Sequence, residues 1–276
     1  MTEEGNAIGT DYVLGTHDAE IARLGTQHQV WRAHMLDAWT RAGITRGSSL
    51  VDFGAGPGYA TCDAAEIVGR EGRVTAVERS PAFLEFARRQ IERRDISWVS
   101  FVAADLIGDD LSLGGFDLAW CRWVASFVSS PSILLEKIAA SLRVGGRAVF
   151  HEYQDYSTWR VIPASRRLDR FVSEVMSSWR GSGGEPNIAA SILPQMAGVG
   201  LRLVEARPLV FSIRPGHFVW RWPASFVEGN SRRLVELGLM PREDADALRN
   251  DLHALEQNPD AVMITPLVLE IIAEKI

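Results

Sequence analysis

The stretch Ser49–Thr61, SLVDFGAGPGYAT, constrains this chain more than any other. Leu50-Val51-Asp52-Phe53 is short and apolar, the pattern of a strand buried on both faces. Gly54-Ala55-Gly56-Pro57-Gly58 cannot continue it, and Tyr59–Val68 reads as a helix. Strand, glycine turn and helix form the opening of a nucleotide-binding crossover. The glycine spacing narrows the ligand. A dinucleotide turn is G-x-G-x-x-G, its third glycine letting the helix approach the strand. Here the third glycine comes one place early, at Gly58, and Tyr59 fills the dinucleotide position. A ligand with an amino-acid tail needs bare backbone on one side and a carboxylate for its ammonium. Asp52 followed by Gly54 offers both.

The chain has 276 residues, enough for one large α/β domain with additions. Two cysteines, Cys62 and Cys121, lie far apart and read as reduced thiols of a cytoplasmic protein. Met1–Gly5 is acidic, without the basic and apolar regions of a secretory signal. No apolar run approaches membrane-spanning length. The net charge of −6 argues against a nucleic-acid partner, which leaves a basic footprint. A small-molecule substrate is expected, with no membrane partner, in a monomer or homodimer. No H-E-x-x-H, paired C-x-x-C, G-x-S-x-G or Walker A pattern is present, so no metal site is expected.

The segment around Asp52, Gly54, Gly56 and Gly58 resembles the first motif of the class I S-adenosylmethionine-dependent methyltransferases. Downstream residues extend the likeness. Arg73–Glu78 is a second strand ending in an acid roughly where a crossover fold brings a carboxylate to ribose hydroxyls. A carboxylate can accept two hydrogen bonds from a diol. Arg79 follows it. Ser97–Ala103 is a third strand leading to Asp105-Leu106. The resemblance implies that Asp105 accepts from the adenine amino group and that the Leu106 N–H donates to the ring. Phe116–Trp120 is a fourth strand, followed by Cys121-Arg122-Trp123. Either Arg122 steadies the carboxylate of the cofactor's methionine part, or the backbone there, from Cys121 on, takes its ammonium. The run L-R-V-G-G-R-A-V-F resembles the family's segment before and within strand five, with Gly145-Gly146 closing the preceding helix.

The fold class expected is α/β: a doubly wound, seven-stranded, mostly parallel sheet with an antiparallel last strand. An N-terminal helix and a helical cap inserted after strands five and six would complete it. Ala261–Ile272 would supply the last strand, at the sheet edge, and Leu201–Ile213 the sixth, interrupted by Pro208. Residues 1–45 would form an arm and helix over the cofactor, 46–160 the binding core, and 161–276 the remaining sheet with the cap.

Strand five ends in His151-Glu152-Tyr153, where substrate must meet cofactor. These three are the catalytic candidates, and His151 is the first choice of base because its unperturbed pKa lies near neutral. Tyr12, His28, Tyr156, Trp159 and Trp220 are the substrate-binding candidates. His28 also fits a packed, hydrogen-bonded histidine on the apolar stripe of its helix, and the tryptophans also fit as glue between cap and sheet. The implied function is methyl transfer from S-adenosylmethionine to a small, partly apolar metabolite, natural-product tailoring being one setting, by in-line displacement. The alternatives are a catalytically silent S-adenosylmethionine-binding protein and a nicotinamide-dependent oxidoreductase.

Overall fold

The computed structural model describes residues 18–276. The chain runs α1 (Asp18–Arg41), β1 (Ser49–Phe53), α2 (Tyr59–Val68), β2 (Arg73–Glu78), α3 (Pro81–Glu92), β3 (Val99–Ala103), β4 (Phe116–Arg122), α4 (Pro131–Ser141) and β5 (Leu142–Asp155). It continues through β6 (Arg160–Ile162), α5 (Arg166–Gly181), α6 (Ala189–Gln195), β7 (Leu201–Leu209), β8 (Ser212–Ile213), α7 (Arg221–Glu236), α8 (Arg242–Glu256), β9 (Val262–Ile264) and β10 (Leu267–Lys275).

The main sheet has seven strands in the order β3-β2-β1-β4-β5-β10-β7. Pairings among β1 to β5 are parallel, whereas β10 is antiparallel to both β5 and β7. This is the doubly wound α/β sheet with an antiparallel last strand. That strand does not form the edge, however. It lies between β5 and β7, and β7 is outermost. Pro208 does not interrupt β7 either: it pairs opposite Leu269, and an edge strand tolerates a missing N–H.

Gly145-Gly146 is not a helix cap, because α4 passes directly into β5 at Leu142. Pairing with β4 jumps from Phe116↔Leu142 to Leu118↔Arg147. Gly145, at φ 74°, absorbs the irregularity. The cap is not wholly helical: β6, β9 and β8 form a second, three-stranded sheet.

Strand alternation divides the core. Leu50, Leu118, Val149 and Ile272 pack with Met35, Ala38 and Trp39 of α1. Their neighbours Val51, Ala119, Phe150 and Ile271 pack on the opposite face with Leu134, Leu135 and Ile138 of α4. A third core joins cap to sheet through Trp31, Trp123, Tyr153, Tyr156, Trp159, Phe171, Trp179, Trp222 and Phe226. Each such side chain contributes roughly 1.5–3 kcal/mol by burial, and edge-to-face ring pairs add about 0.5–1.5 kcal/mol. No helix among the described residues is long and apolar enough to cross a membrane.

Candidate active site

The carboxyl ends of β1 to β4 open into one cavity of about 440 Å³, within the range of small-ligand sites. Its floor is the turn after β1. The N–H groups of Gly54 and Ala55 both donate to the Val77 carbonyl, at 2.9 and 3.0 Å, which folds the turn across β2. Gly54 lies at φ 70°, and a Cβ there would stand 2.4 Å from Val124 Cγ2. Gly58, at φ 78°, lies under the turn, where a Cβ would meet that of Ala87 on α3 at 2.6 Å. Open space surrounds the Cβ position of Gly56, within the cavity wall.

Three carboxylates from three strand ends reach this cavity. Asp52 is 2% exposed and accepts from Thr61 Oγ1 at 2.7 Å. Burial pushes its carboxyl up to about 6, against the opposing effects of Thr61 and the Arg122 charge. Glu78 accepts from the Gly56 N–H at 2.9 Å and the Ser80 N–H at 2.8 Å. Asp105 accepts from the N–H groups of Gly108 and Ile107, at 2.9 and 2.8 Å. These bonds hold its carboxyl below the usual carboxylate range, with Arg79 also contributing. Asp105 is thus oriented by its own loop, Asp52 by Thr61 of α2, and Glu78 by Ser80 together with the turn after β1.

Arg122 at the end of β4 supplies the positive charge. Its guanidinium lies 5.6 Å from the Trp120 ring centre and 5.3 Å from that of Trp123. Nη2 bonds His28 Nδ1 at 3.2 Å, whereas buried Nη1 has no partner among the described residues. Burial lowers its pKa to about 10, so it remains charged near neutrality. Trp123 sits at φ 51°, an unusual conformation for a bulky residue that costs about 1–3 kcal/mol. The Trp123 N–H donates to the His151 carbonyl at 3.0 Å, and its ring stacks against Trp222 and Tyr153. Glu152 then accepts from the N–H groups of Val124 and Ala125 and from Ser126 Oγ, at 2.9, 3.0 and 3.0 Å. The strained segment is therefore held from both sides. Phe127, Val128 and Ser129 beyond it, Leu24 and Gln27 of α1, and Ser182 of the cap complete the opposite wall.

A methyltransferase-domain model matches residues 51–150, the stretch that builds β1 to most of β5. That stretch is similar to a methyltransferase domain. The chain is 36% identical over 106 residues to a protein-L-isoaspartate O-methyltransferase of Methanothrix thermoacetophila, covering 38% of this chain and 48% of that protein. It is 28% identical over 123 residues to a demethylmenaquinone methyltransferase of Lactococcus lactis, covering 45% and 48%. The chain spans about half the length of these curated relatives. The fold matches geranyl diphosphate C-methyltransferase from Streptomyces coelicolor with a TM-score of 0.56 and 17% identity, over 96% of this chain and 87% of that one.

Within the matched stretch, Asp52, Gly54, Gly56, Glu78, Arg79, Asp105, Leu106 and Arg122 line the cavity. Gly58 and Cys121 are corrections. Gly58 serves packing between α2 and α3 rather than the lining. Cys121 is 1% exposed and lies 4.0 Å from Glu152 Oε1, behind the wall.

The catalytic candidates also require correction. His151 is fully buried outside the lining, with Nε2 3.0 Å from Glu270 Oε2 and its ring against Trp120 and Trp31. Burial lowers its pKa to about 4, against the opposing bond from Glu270. Glu152 is fully buried and occupied by the Val124–Ser126 loop. Tyr153 stacks on Trp123 within the cap core. None of the three lines the cavity.

Tyr156, Trp159 and Trp220 are likewise core residues rather than wall residues, at 2%, 1% and 4% exposure. His28 is buried behind the wall and acts on Arg122. Tyr12 lies outside the described residues. Trp123 of the Cys121-Arg122-Trp123 cluster lines the wall, as do Trp120 and the segment Phe127–Ser129, which no motif marks. Their signal was position, immediately before and after the carboxyl end of β4, where ligands of open α/β sheets sit.

Proposed function

We propose that this chain is an S-adenosylmethionine-dependent methyltransferase acting on a small, partly apolar metabolite. The observation carrying this reading is the convergence of Asp52, Glu78 and Asp105, from three successive strand ends, on one cavity. The residues present fit the cofactor. Buried Asp52 suits its ammonium, Glu78 the ribose hydroxyls, and Asp105 with the Leu106 N–H the adenine. The unpartnered Nη1 of Arg122 suits its carboxylate. S-adenosylhomocysteine is held by the Streptomyces coelicolor enzyme of the same fold, and that enzyme is named for a small-molecule substrate, geranyl diphosphate.

Held by Asp52, Glu78, Asp105 and Arg122, S-adenosylmethionine would supply an electrophilic methyl on a sulfonium, with the neutral thioether as leaving group when an in-line acceptor atom bonds the methyl carbon. The protein's work is then position and exclusion of water. Trp123, Phe127 and Val128 form an apolar wall facing the glycine turn. Orientation of this kind supplies effective molarities on the order of 10⁵–10⁸ M. Among the described residues no histidine lines the cavity, so His151 is not proposed as the base. The expected acceptor is nucleophilic without a protein histidine.

Calorimetric titration with S-adenosylhomocysteine tests the cofactor assignment. Glu78→Ala and Asp105→Ala should each weaken binding by roughly 10- to 100-fold, the worth of a hydrogen bond to a charged group. Wild-type affinity in both would remove these assignments. Methyl transfer from labelled cofactor to a panel of apolar metabolites tests turnover. Binding with no transfer to any would favour a silent cofactor-binding protein.

A pH series adds a second expectation. The Asp52 carboxylate must be charged to hold an ammonium, so affinity should fall as pH drops through about 6. Thr61 donates to the charged form, so Thr61→Val raises the Asp52 pKa further. The acid limb of the binding profile should move to higher pH in that variant. An unmoved limb would detach Asp52 from ammonium recognition.

A further inference from the structure

We infer that Asp63 and His28 are positioning residues that hold Arg122 ready for the carboxylate of the amino-acid tail, an inference resting on the cofactor reading above. Arg122 projects from the end of β4 into an aromatic slot, which fixes its plane but offers no hydrogen-bond acceptor. The acceptor comes from α1: His28 Nδ1 lies 3.2 Å from Arg122 Nη2. A guanidinium has five donors and no acceptor. Nδ1 must therefore present its lone pair, and the imidazole proton must sit on Nε2. That nitrogen faces Asp63 Oδ2 at 3.1 Å.

The tautomer is thus set from both ends. Asp63 is fixed in turn by Arg32 Nε at 2.8 Å, and Tyr59 stacks on the imidazole at 5.7 Å and 23°. His28 does not itself line the cavity, so its route to the ligand runs through Arg122. With Nη2 committed to His28, the buried Nη1 is the donor without a partner among the described residues. A buried donor of this kind is unfavourable until an acceptor arrives.

Only neutral His28 can do this. A proton on Nδ1 would set an N–H and a positive charge against the guanidinium. The charged and titratable groups facing the ring are Asp63 and Tyr59 from α2, Arg122 from β4 and Arg32 from α1 itself. Burial lowers the His28 pKa below its ordinary value, with Asp63 opposing and Arg122 and Arg32 adding to the fall. Asp63 is held low: burial would raise it, but the bonds from His28 and Arg32 outweigh that. Asp52 titrates in the same cavity, so a pH profile of the wild type alone would mix two groups.

Two conservative variants separate the two ends of the imidazole. His28→Asn places an amide oxygen near the Nδ1 position, where it can accept from Arg122. His28→Gln extends its amide toward Asp63 and leaves Arg122 without an acceptor. Titrations use two ligands: S-adenosylhomocysteine, and 5′-methylthioadenosine, which lacks the amino-acid tail. Wild type and His28→Asn should bind S-adenosylhomocysteine within about threefold of each other, while His28→Gln loses roughly 10-fold or more, the worth of a bond to a charged group. All three should bind 5′-methylthioadenosine alike. In an Arg122→Ala background, His28→Gln should weaken S-adenosylhomocysteine no further, because the two act through one contact.

Equal loss of both ligands in His28→Gln would mean general damage and overturn the inference. So would wild-type affinity in that variant, or additive losses in the double variant. Failure of the wild type to bind S-adenosylhomocysteine at all would instead overturn the cofactor reading, and this inference with it.

Discussion

Gly54→Ala should lower S-adenosylhomocysteine affinity by at least roughly 30-fold, because two costs coincide at one atom. The first is backbone: at φ 70° an alanine is in the left-handed region, a penalty of about 1–2 kcal/mol. The second is contact: the new Cβ would stand 2.4 Å from Val124 Cγ2. Val124 cannot easily retreat, since its N–H is anchored on Glu152 Oε1 at 2.9 Å. Overpacking of this kind costs about 1–3 kcal/mol more. The turn must then shift away from the wall it faces, and the cavity between them changes shape. Gly114→Ala is the matched control, with nothing within 4 Å of its Cβ position, and should leave affinity and melting temperature unchanged. Tight binding by Gly54→Ala would mean that the turn does not touch the ligand.

The largest stability effect is expected at Glu152. Truncation to alanine leaves three donors, the half-buried Val124 N–H, the buried Ala125 N–H and the buried Ser126 hydroxyl, without their acceptor. At about 1–3 kcal/mol per unpaired group, and about 2–4 °C per kcal/mol for a chain near this size, the melting temperature should fall by roughly 10 °C or more. Glu152→Gln should be much milder. Its amide oxygen can serve the two N–H groups and its NH₂ can donate to Ser126 Oγ.

The pair also differs in pH dependence. Burial raises the Glu152 pKa from 4.5 to about 7, against the bonds that favour its charged form. A raised folded-state pKa gives stability that is complete below 4.5 and is lost as pH rises through about 7. Gln lacks that loss. Relative to wild type, Glu152→Gln should therefore gain stability between pH 5 and pH 8. His151, whose lowered pKa acts in the opposite direction, is common to both proteins and cancels in the comparison. A gap between the two melting temperatures that stays constant with pH would contradict this.

The convergence of the three acids on one cavity was legible because their placement is local. Asp52, Glu78 and Asp105 each follow a short apolar strand, and parallel strands bring their carboxyl ends to one edge without further information. The strand-five candidates were misread for a complementary reason. Alternation states which residues share a face, but not what covers that face. Trp31 of α1 and Trp120 of β4 cover His151, and the loop after β4 occupies Glu152. Trp159 and Trp220 are glue because the cap folds onto the sheet, a contact between residues far apart in the chain. The group Asp63, His28 and Arg122 comes from three separate elements and leaves no pattern at any fixed spacing. The inner position of β10 was equally hidden, since nothing in its apolar run says which side of β7 it takes.

A crystal structure with S-adenosylhomocysteine bound is the most direct measurement. Expected is the ligand in the cavity over β1 to β4, with adenine beside Asp105, ribose hydroxyls on Glu78, ammonium near Asp52 and carboxylate on Arg122 Nη1. The sulfur should face the wall formed by Trp123, Phe127 and Val128. A ligand bound elsewhere, or one lying in this cavity with its tail turned away from Asp52 and Arg122, would contradict the assignment.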